Sequence, residues 1–169
     1  GGLSGAGRST LAATLAPDIG PPPGARILAS DRLRKARAGV AAETRLPAEA
    51  YTPQASRDIY LALNDEAARV LATGYAVVVD AVFARPDERV RMQAVAERAG
   101  AGFSGLWLDA DRSVLRARVA ARRDDASDAT VDVVDKQSAY DLGALDWPRL
   151  DAGADDLVVR ARAALGLTS

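Results

Sequence analysis

GGLSGAGRST, residues 1–10, fits G-x-x-x-x-G-K-[ST] from Gly2 onward, except that Arg8 stands where the pattern has lysine. Glycine at positions 2, 5 and 7 lets the backbone take left-handed angles and turn successive N–H groups inward, which suits the oxygens of a phosphate. A helix starting at Arg8 adds the positive end of its dipole. The expected cradle comprises Gly2, Ser4, Gly5, Ala6, Gly7, Arg8, Ser9 and Thr10, with the Ser9 hydroxyl on Mg²⁺ and Thr10 supporting the helix start. Arginine keeps the charge of the lysine but is longer, planar and differently directed, so it bears on catalysis more than on binding. The plainer alternative is a glycine-rich terminus or a capping turn.

Working outward, the chain alternates helical and strand patterns. Arg8 to Ala16 reads as a helix stopped by Pro17, and Ile27 to Ala29 as a buried strand running into Ser30-Asp31. Leu33 to Arg37 begins a short helix, and 38–52 is a loop. From Pro53 a long helix runs to Gly74, followed by the strand Tyr75 to Val79, which closes on Asp80. Asp87 to Ala99 is a helix between Pro86 and Gly100, Phe103 to Leu108 a strand, and Arg112 to Arg123 an arginine-studded helix. A polar stretch, Asp124 to Asp128, leads to a helix from Val131 to Tyr140, an edge strand at Arg149 to Asp151 and a closing helix from Ala154 to Leu165. This alternation implies an α/β fold with a parallel sheet, whose ligands gather at the carboxyl ends of the strands. Ser30-Asp31, Asp80-Ala81 and Asp109-Ala110 stand at those ends.

Composition narrows the chemistry. The 169 residues, 49% hydrophobic and 27% charged, suit one soluble domain. There is no Cys and no His, so disulfides, thiolates, histidine bases and the common zinc sites are out. Acid–base work falls to Asp, Glu, Lys or Tyr, and a metal would be a hard cation on oxygen. A net charge of −1 argues against general affinity for nucleic acid or an anionic membrane. With no apolar run near 18 residues and no signal peptide, the expectation is a cytoplasmic protein. Of 22 basic residues only Lys35 and Lys136 are lysine.

Three further features carry chemistry. Asp31 can accept a hydroxyl proton while Arg34, one turn on, holds an anionic or polar part of an acceptor, although an aspartate there is often only a helix cap. Asp80, ending an apolar run, fits an aspartate that orders Mg²⁺, with Ser9 as the other metal-side ligand, although a strand-terminating turn residue or a substrate contact would also stand there. Arg116, Arg118, Arg122 and Arg123 share a predicted helix, with Arg118 and Arg122 on one face. A solvated basic surface is the usual meaning of such a run. Here the helix follows a strand end and precedes DDASD, which suits a lid whose Arg118 or Arg122 neutralises transferring charge. Trp107 and Trp147 are expected in packing. Tyr51 and Tyr60 border the acceptor side, and Glu43, Arg45 and Glu49 sit in a loop placed to cap it.

Together GGLSGAGRST, ASDRLRK, VVVDAVF, LRARVAARRDDASDA and LDWPRLDAG resemble the small P-loop kinases related to gluconate kinase, zeta toxin, chloramphenicol phosphotransferase and the kinase domain of polynucleotide kinase. They are most similar to "AAA family ATPase" domains often fused behind an aminoglycoside-phosphotransferase-like domain. The resemblance spans nearly the whole chain. It implies a three-layer fold with strand order 2-3-1-4-5, ATP and Mg²⁺, Asp31 as base, Arg34 on the acceptor, Arg118 and Arg122 on the phosphates, and adenine between the lid side and 149–153. The chain departs from it at Arg8 and in lacking the first strand; the expected gap in the sheet is filled either by upstream residues of a longer protein, from which this is an excised or truncated domain, or by another segment.

The sequence therefore reads as a single domain over 1–169, lid about 112–140. The first expectation is an ATP-dependent kinase for a hydroxyl of an unidentified small molecule. One alternative is a nucleotide-binding regulatory module whose Arg8 has ended catalysis. The other is a nucleic-acid 5′-hydroxyl kinase, which the near-neutral charge and the lack of a basic, aromatic-interleaved surface oppose.

Overall fold

The computed structural model describes residues 1–122 and 126–167. Seven helices and four short strands alternate among the described residues: α1 (Arg8–Leu15), β1 (Arg26–Ala29), α2 (Ser30–Arg37), α3 (Pro53–Ala72), β2 (Val77–Asp80), α4 (Pro86–Arg98), β3 (Trp107–Asp109), α5 (Arg112–Ala120), α6 (Val131–Gln137), β4 (Arg149–Asp151) and α7 (Leu157–Ala164). Local chemistry sets many boundaries. Proline opens both α3 and α4, where a missing N–H costs nothing. The Thr52 hydroxyl accepts from Ala55 N at 3.2 Å at the start of α3, and Glu88 accepts from Arg85 N at 3.2 Å at the start of α4.

The strands form two parallel pairs, β1 with β2 and β3 with β4. Gly1 and Gly2 stand between the pairs. Gly2 N donates to Val82 O at 3.1 Å on one side, and Leu108 N donates to Gly1 O at 2.9 Å on the other. The spatial order is thus β1, β2, Gly1–Gly2, β3, β4, the 2-3-1-4-5 arrangement with Gly1–Gly2 in the central place. Below Gly1 the place beside β2 and β3 is a cavity of about 590 Å³, lined by apolar groups including Leu11, Leu15, Val78, Met92, Val95 and Phe103. The open slot explains one difference from expectation. A strand was expected over Phe103 to Leu108, but only Trp107–Asp109 pairs, because no described segment runs beside 103–105 on the slot side.

Other ends also differ. α2 starts at Ser30 rather than Leu33, which brings Asp31 into its first turn, where a carboxylate favours the helix dipole. α5 closes at Ala120, with Arg122 N turning back to Val119 O at 3.3 Å, so Arg122 lies beyond the helix rather than on one of its faces. α6 ends at Gln137, and α7 begins only at Leu157, after a turn in which Gly153 N donates to Asp151 Oδ1 at 2.8 Å.

Helices cover both faces of the sheet. One core joins α1, α5, α6 and α7 to β3 and β4 through Leu11, Leu15, Leu108, Leu115, Val134 and Leu150. The other joins α3 and α4 to β1 through Leu28, Ile59, Leu63, Met92 and Val95. Full burial of a side chain such as Leu63 contributes about 1.5–3 kcal/mol. Trp107 is buried, and Trp147 packs edge-on to Phe83 at 5.6 Å, so both tryptophans are packing residues as expected. No described helix is long and apolar enough to cross a membrane.

Candidate functional site

Gly5 and Gly7 have φ of 91° and 83°, and Gly7, in left-handed geometry, turns the loop into α1. At Gly5 the constraint is also spatial, since an added Cβ would lie 2.7 Å from Leu115 O. The loop is tied to the chain beyond α5, as Ser4 N donates to Gln137 Oε1 at 2.8 Å. Ser4, Gly5 and Ala6 are buried beneath the turn, whereas Ser9 and Thr10 are exposed in the first turn of α1. The loop thus has the shape expected of an anion cradle.

Arg8 and Ser9 both meet Asp80. Arg8 Nε donates to Asp80 Oδ1 at 3.0 Å, and the Ser9 hydroxyl donates to Asp80 Oδ2 at 2.5 Å. Arg8 also donates through Nη1 to Gly2 O. Asp80 is buried at the end of β2, as the apolar run ahead of it predicts. A hydroxyl and a carboxylate in contact at the edge of a phosphate-shaped loop are oxygen donors suited to Mg²⁺. The described residues hold no cluster of three or more acidic side chains that could bind a metal alone, so phosphate oxygens would have to complete the shell.

Asp31 lies in the same electrostatic neighbourhood. Burial pushes its pKa up, opposed by a hydrogen bond from Ser127 and by the charges of Arg8 and Arg34, while Asp80 pushes the same way as burial. Arg34 is 9% exposed; it donates through Nη1 to Ala50 O and stacks on the Tyr51 ring, with Cζ 4.7 Å from the centroid. Its Nε is buried without a partner. A desolvated guanidinium N–H left without a partner is a donor awaiting an acceptor. Glu43, Arg45 and Glu49 are exposed on the loop, and Tyr60 lies deeper, where its hydroxyl accepts from Phe83 N at 2.9 Å.

The arginines of the fifth helix separate. Arg118, though exposed, donates to Ala152 O at 3.1 Å and reaches Gly5 O at 3.5 Å, so it links the cradle to the 149–153 turn. Arg116 is on the surface, paired with Asp135, which is the solvated reading of such a run. Arg123, Asp124 and Asp125 lie outside the described residues.

Several residues here carry no motif. Asp128 takes Lys35 Nζ at 2.8 Å on Oδ1, and Leu46 N at 2.8 Å and the Tyr51 hydroxyl on Oδ2. Lys35 is 1% exposed and also donates to Thr44 O. Its rarity was the available signal, for a lysine kept in so arginine-rich a chain invites a specific use. Arg89, likewise buried, donates to the carbonyls of Phe83, Ala84, Leu142 and Ala144. Nothing in its sequence context marks it.

The model of a family described as "AAA domain" matches residues 1–141. Solved structures with the same fold include a sugar kinase from Janibacter sp. HTCC2649, 19% identical, covering 99% of this chain and 92% of that one with a TM-score of 0.70. A gluconokinase from Sinorhizobium meliloti 1021 is 21% identical over 98% of this chain and 88% of that one, TM-score 0.64. The APS kinase of Mycobacterium tuberculosis, in complex with AMPPNP and APS, is 21% identical over 98% and 92%, TM-score 0.64. No curated protein matches the chain.

Proposed function

The chain belongs to the AAA-domain family, and on that premise we propose that it is an ATP-dependent phosphotransferase acting on a hydroxyl of a small molecule. The observation that carries this reading is that Arg8 and Ser9 of the glycine loop both meet Asp80, at 3.0 and 2.5 Å, with Asp31 under the charges of Arg8, Asp80 and Arg34. It brings a candidate base, the cradle's cation, a metal-side acid and an anion clamp to one place. The sugar-kinase, gluconokinase and APS-kinase neighbours support the class by fold.

In this reading Gly2, Ser4, Gly5, Ala6, Gly7, Arg8, Ser9 and Thr10 hold the phosphates of ATP. Ser9 and Asp80 would hold Mg²⁺, which supplies charge neutralisation on the phosphate oxygens. Asp31 takes the proton of the acceptor hydroxyl as its oxygen bonds to the γ-phosphorus, and the bond to the departing ADP breaks. The orphaned Nε of Arg34 supports an acceptor bearing a carboxylate or another anionic group, such as a sugar acid. Arg118, on the Gly5 carbonyl, and Arg122, beyond α5, neutralise charge on the transferring group. Residues 1–169 act as one domain with 112–140 as its lid.

One observation favours a second reading, a nucleotide-binding regulatory module. Arg8 is engaged with Asp80 and Gly2 O instead of reaching across the cradle. Calorimetry with ATP and Mg²⁺, then an ATP-consumption screen over sugars, sugar acids, antibiotics, nucleosides and oligonucleotides, tests both. Turnover with a small anionic polyol supports the transferase. Nucleotide binding without turnover, converted to turnover by Arg8→Lys, supports the module, and turnover only with an oligonucleotide would mean a nucleic-acid kinase.

A further inference from the structure

We infer that Asp128 is a positioning residue: with Ser127 it fastens the segment between α5 and α6 to the acceptor-side loop and so holds Tyr51, Arg34 and Asp31 in register with the phosphate cradle. The inference rests on the phosphotransferase reading for what that register serves. Its basis is that one carboxylate gathers donors from three separate places. Lys35 comes from the end of α2, Leu46 from the middle of the 38–52 loop, and Tyr51 from the loop's far end. The loop is thereby closed around Asp128, and Lys35 reinforces the closure through Thr44 O.

The consequence passes to the site through two contacts. Tyr51, held by its hydroxyl, presents its ring face to the Arg34 guanidinium, whose Nη1 is fixed by Ala50 O, the neighbour of Tyr51. This leaves Arg34 Nε as the buried donor without a partner. On the other side Ser127, adjacent in sequence, hydrogen-bonds Asp31. Two consecutive residues therefore touch the proposed base and the support of the proposed clamp. They belong to the same connection that leads from Arg118 to Gln137, both of which contact the cradle loop. A buried ion pair is a poor means of stabilising a fold, because apolar residues of similar volume commonly do as well. Its value here is directional, since a carboxylate accepting from three sites fixes their relative positions.

The test uses the full chain, with Asp128→Asn, Asp128→Ala and Tyr51→Phe. Asp128→Ala strands the Lys35 ammonium and can unfold the protein, whereas Tyr51→Phe removes one hydrogen bond and leaves the ion pair intact. Hydrogen exchange at the Leu46 amide and across 44–52 should accelerate at least tenfold in Asp128→Ala and about threefold in Tyr51→Phe, with affinity for a nonhydrolysable ATP analogue within twofold of wild type. With D-gluconate as the first probe, or the acceptor found in the screen, KM for the acceptor should rise at least tenfold in Asp128→Ala. KM for ATP should stay within threefold while kcat falls with the displaced Asp31, and Asp128→Asn should recover part of both losses. Unchanged exchange in folded Asp128→Ala or Tyr51→Phe would overturn the inference, as would parallel loss of nucleotide and acceptor binding that Asp128→Asn does not relieve. If no acceptor is turned over while the exchange changes appear, the phosphotransferase reading fails and the positioning of the loop stands.

Discussion

Arg8 is joined to Asp80 at 3.0 Å through its Nε, within a pair whose side chains are 14% and 4% exposed. The substitution that makes the glycine loop unusual is therefore paired with the carboxylate that ends β2. Removing Arg8 leaves Asp80 with one hydroxyl donor, from Ser9, and a largely desolvated charge. We expect Arg8→Ala to lower stability by about 3 kcal/mol, as for breaking a buried ion pair. Mg²⁺ with ATP should restore much of the loss by returning a cation to Asp80. Thermal melts with and without Mg-ATP check this, and equal destabilisation in both would refute it. Arg8→Lys keeps the charge, so nucleotide affinity within about threefold and turnover within about tenfold of wild type are expected of an arginine-adapted enzyme.

Asp31 couples activity and stability in opposite senses. Burial raises its pKa above that of an ordinary aspartate, so the folded state holds the proton more tightly than the unfolded chain does. The stabilisation from this group is fully present below pH 3.8 and is lost as pH rises through the raised folded value. Asp31→Asn should therefore raise Tm at pH 7, with the gain shrinking toward pH 4, while kcat falls by about 10²-fold or more. In the wild type, kcat should fall on acidification at a higher pH than for an ordinary carboxylate. Melting curves across pH beside initial rates measure both, and a variant with normal turnover would remove Asp31 from the base role.

The order of elements was legible because its signals are local. Pro17, Pro53, Gly74, Pro86 and Gly100 punctuate apolar runs of helical or strand period, and the structure follows that punctuation closely. The places of Asp31 and Asp80 in the fold were legible for a related reason: each stands where a strand hands over to a helix or a loop. What escaped depends on distant partners. Lys35 and Asp128 meet across 93 positions, and in the one-dimensional record Asp128 is only part of a polar run. The missing pairing of 103–105 also has a non-local cause, for a strand is made by its neighbour as much as by its own residues.

Arg118 and Arg116 lie two positions apart on α5 and should behave differently. Arg118 reaches Gly5 O and Ala152 O, between the cradle and the 149–153 turn, while Arg116 pairs with Asp135 on the surface. Arg118→Ala should lower kcat by about 10²- to 10³-fold with a smaller effect on nucleotide affinity, because an arginine at the transferring group acts mainly on the transition state. Arg116→Ala should leave both within about twofold, since exposed ion pairs contribute little. Steady-state kinetics with the identified acceptor, alongside calorimetry for nucleotide, decides the matter. Equal effects of the two substitutions would return the whole run to the status of a basic surface.

Arg89 offers a stability test remote from the chemistry. It is 6% exposed and spends its donors on four carbonyls, Phe83 at 2.8 Å, Ala84 at 2.9 Å, Leu142 at 2.6 Å and Ala144 at 2.9 Å. These belong to two irregular segments that no strand ladder satisfies, and Phe83 in the first has a φ of 54°, a left-handed conformation rare outside glycine. Arg89 thus does for loop backbone what a sheet does for strands. Arg89→Met keeps most of the apolar stem but leaves the carbonyls without their buried donor. At about 1–3 kcal/mol for each group left unsatisfied, less whatever water recovers, a loss of at least about 3 kcal/mol is expected in urea unfolding. Trp147, which packs edge-on against Phe83, reports on the same region, so its fluorescence should shift to the red in the native baseline of the variant. A stable variant with an unshifted baseline would mean that the two segments hold each other without Arg89.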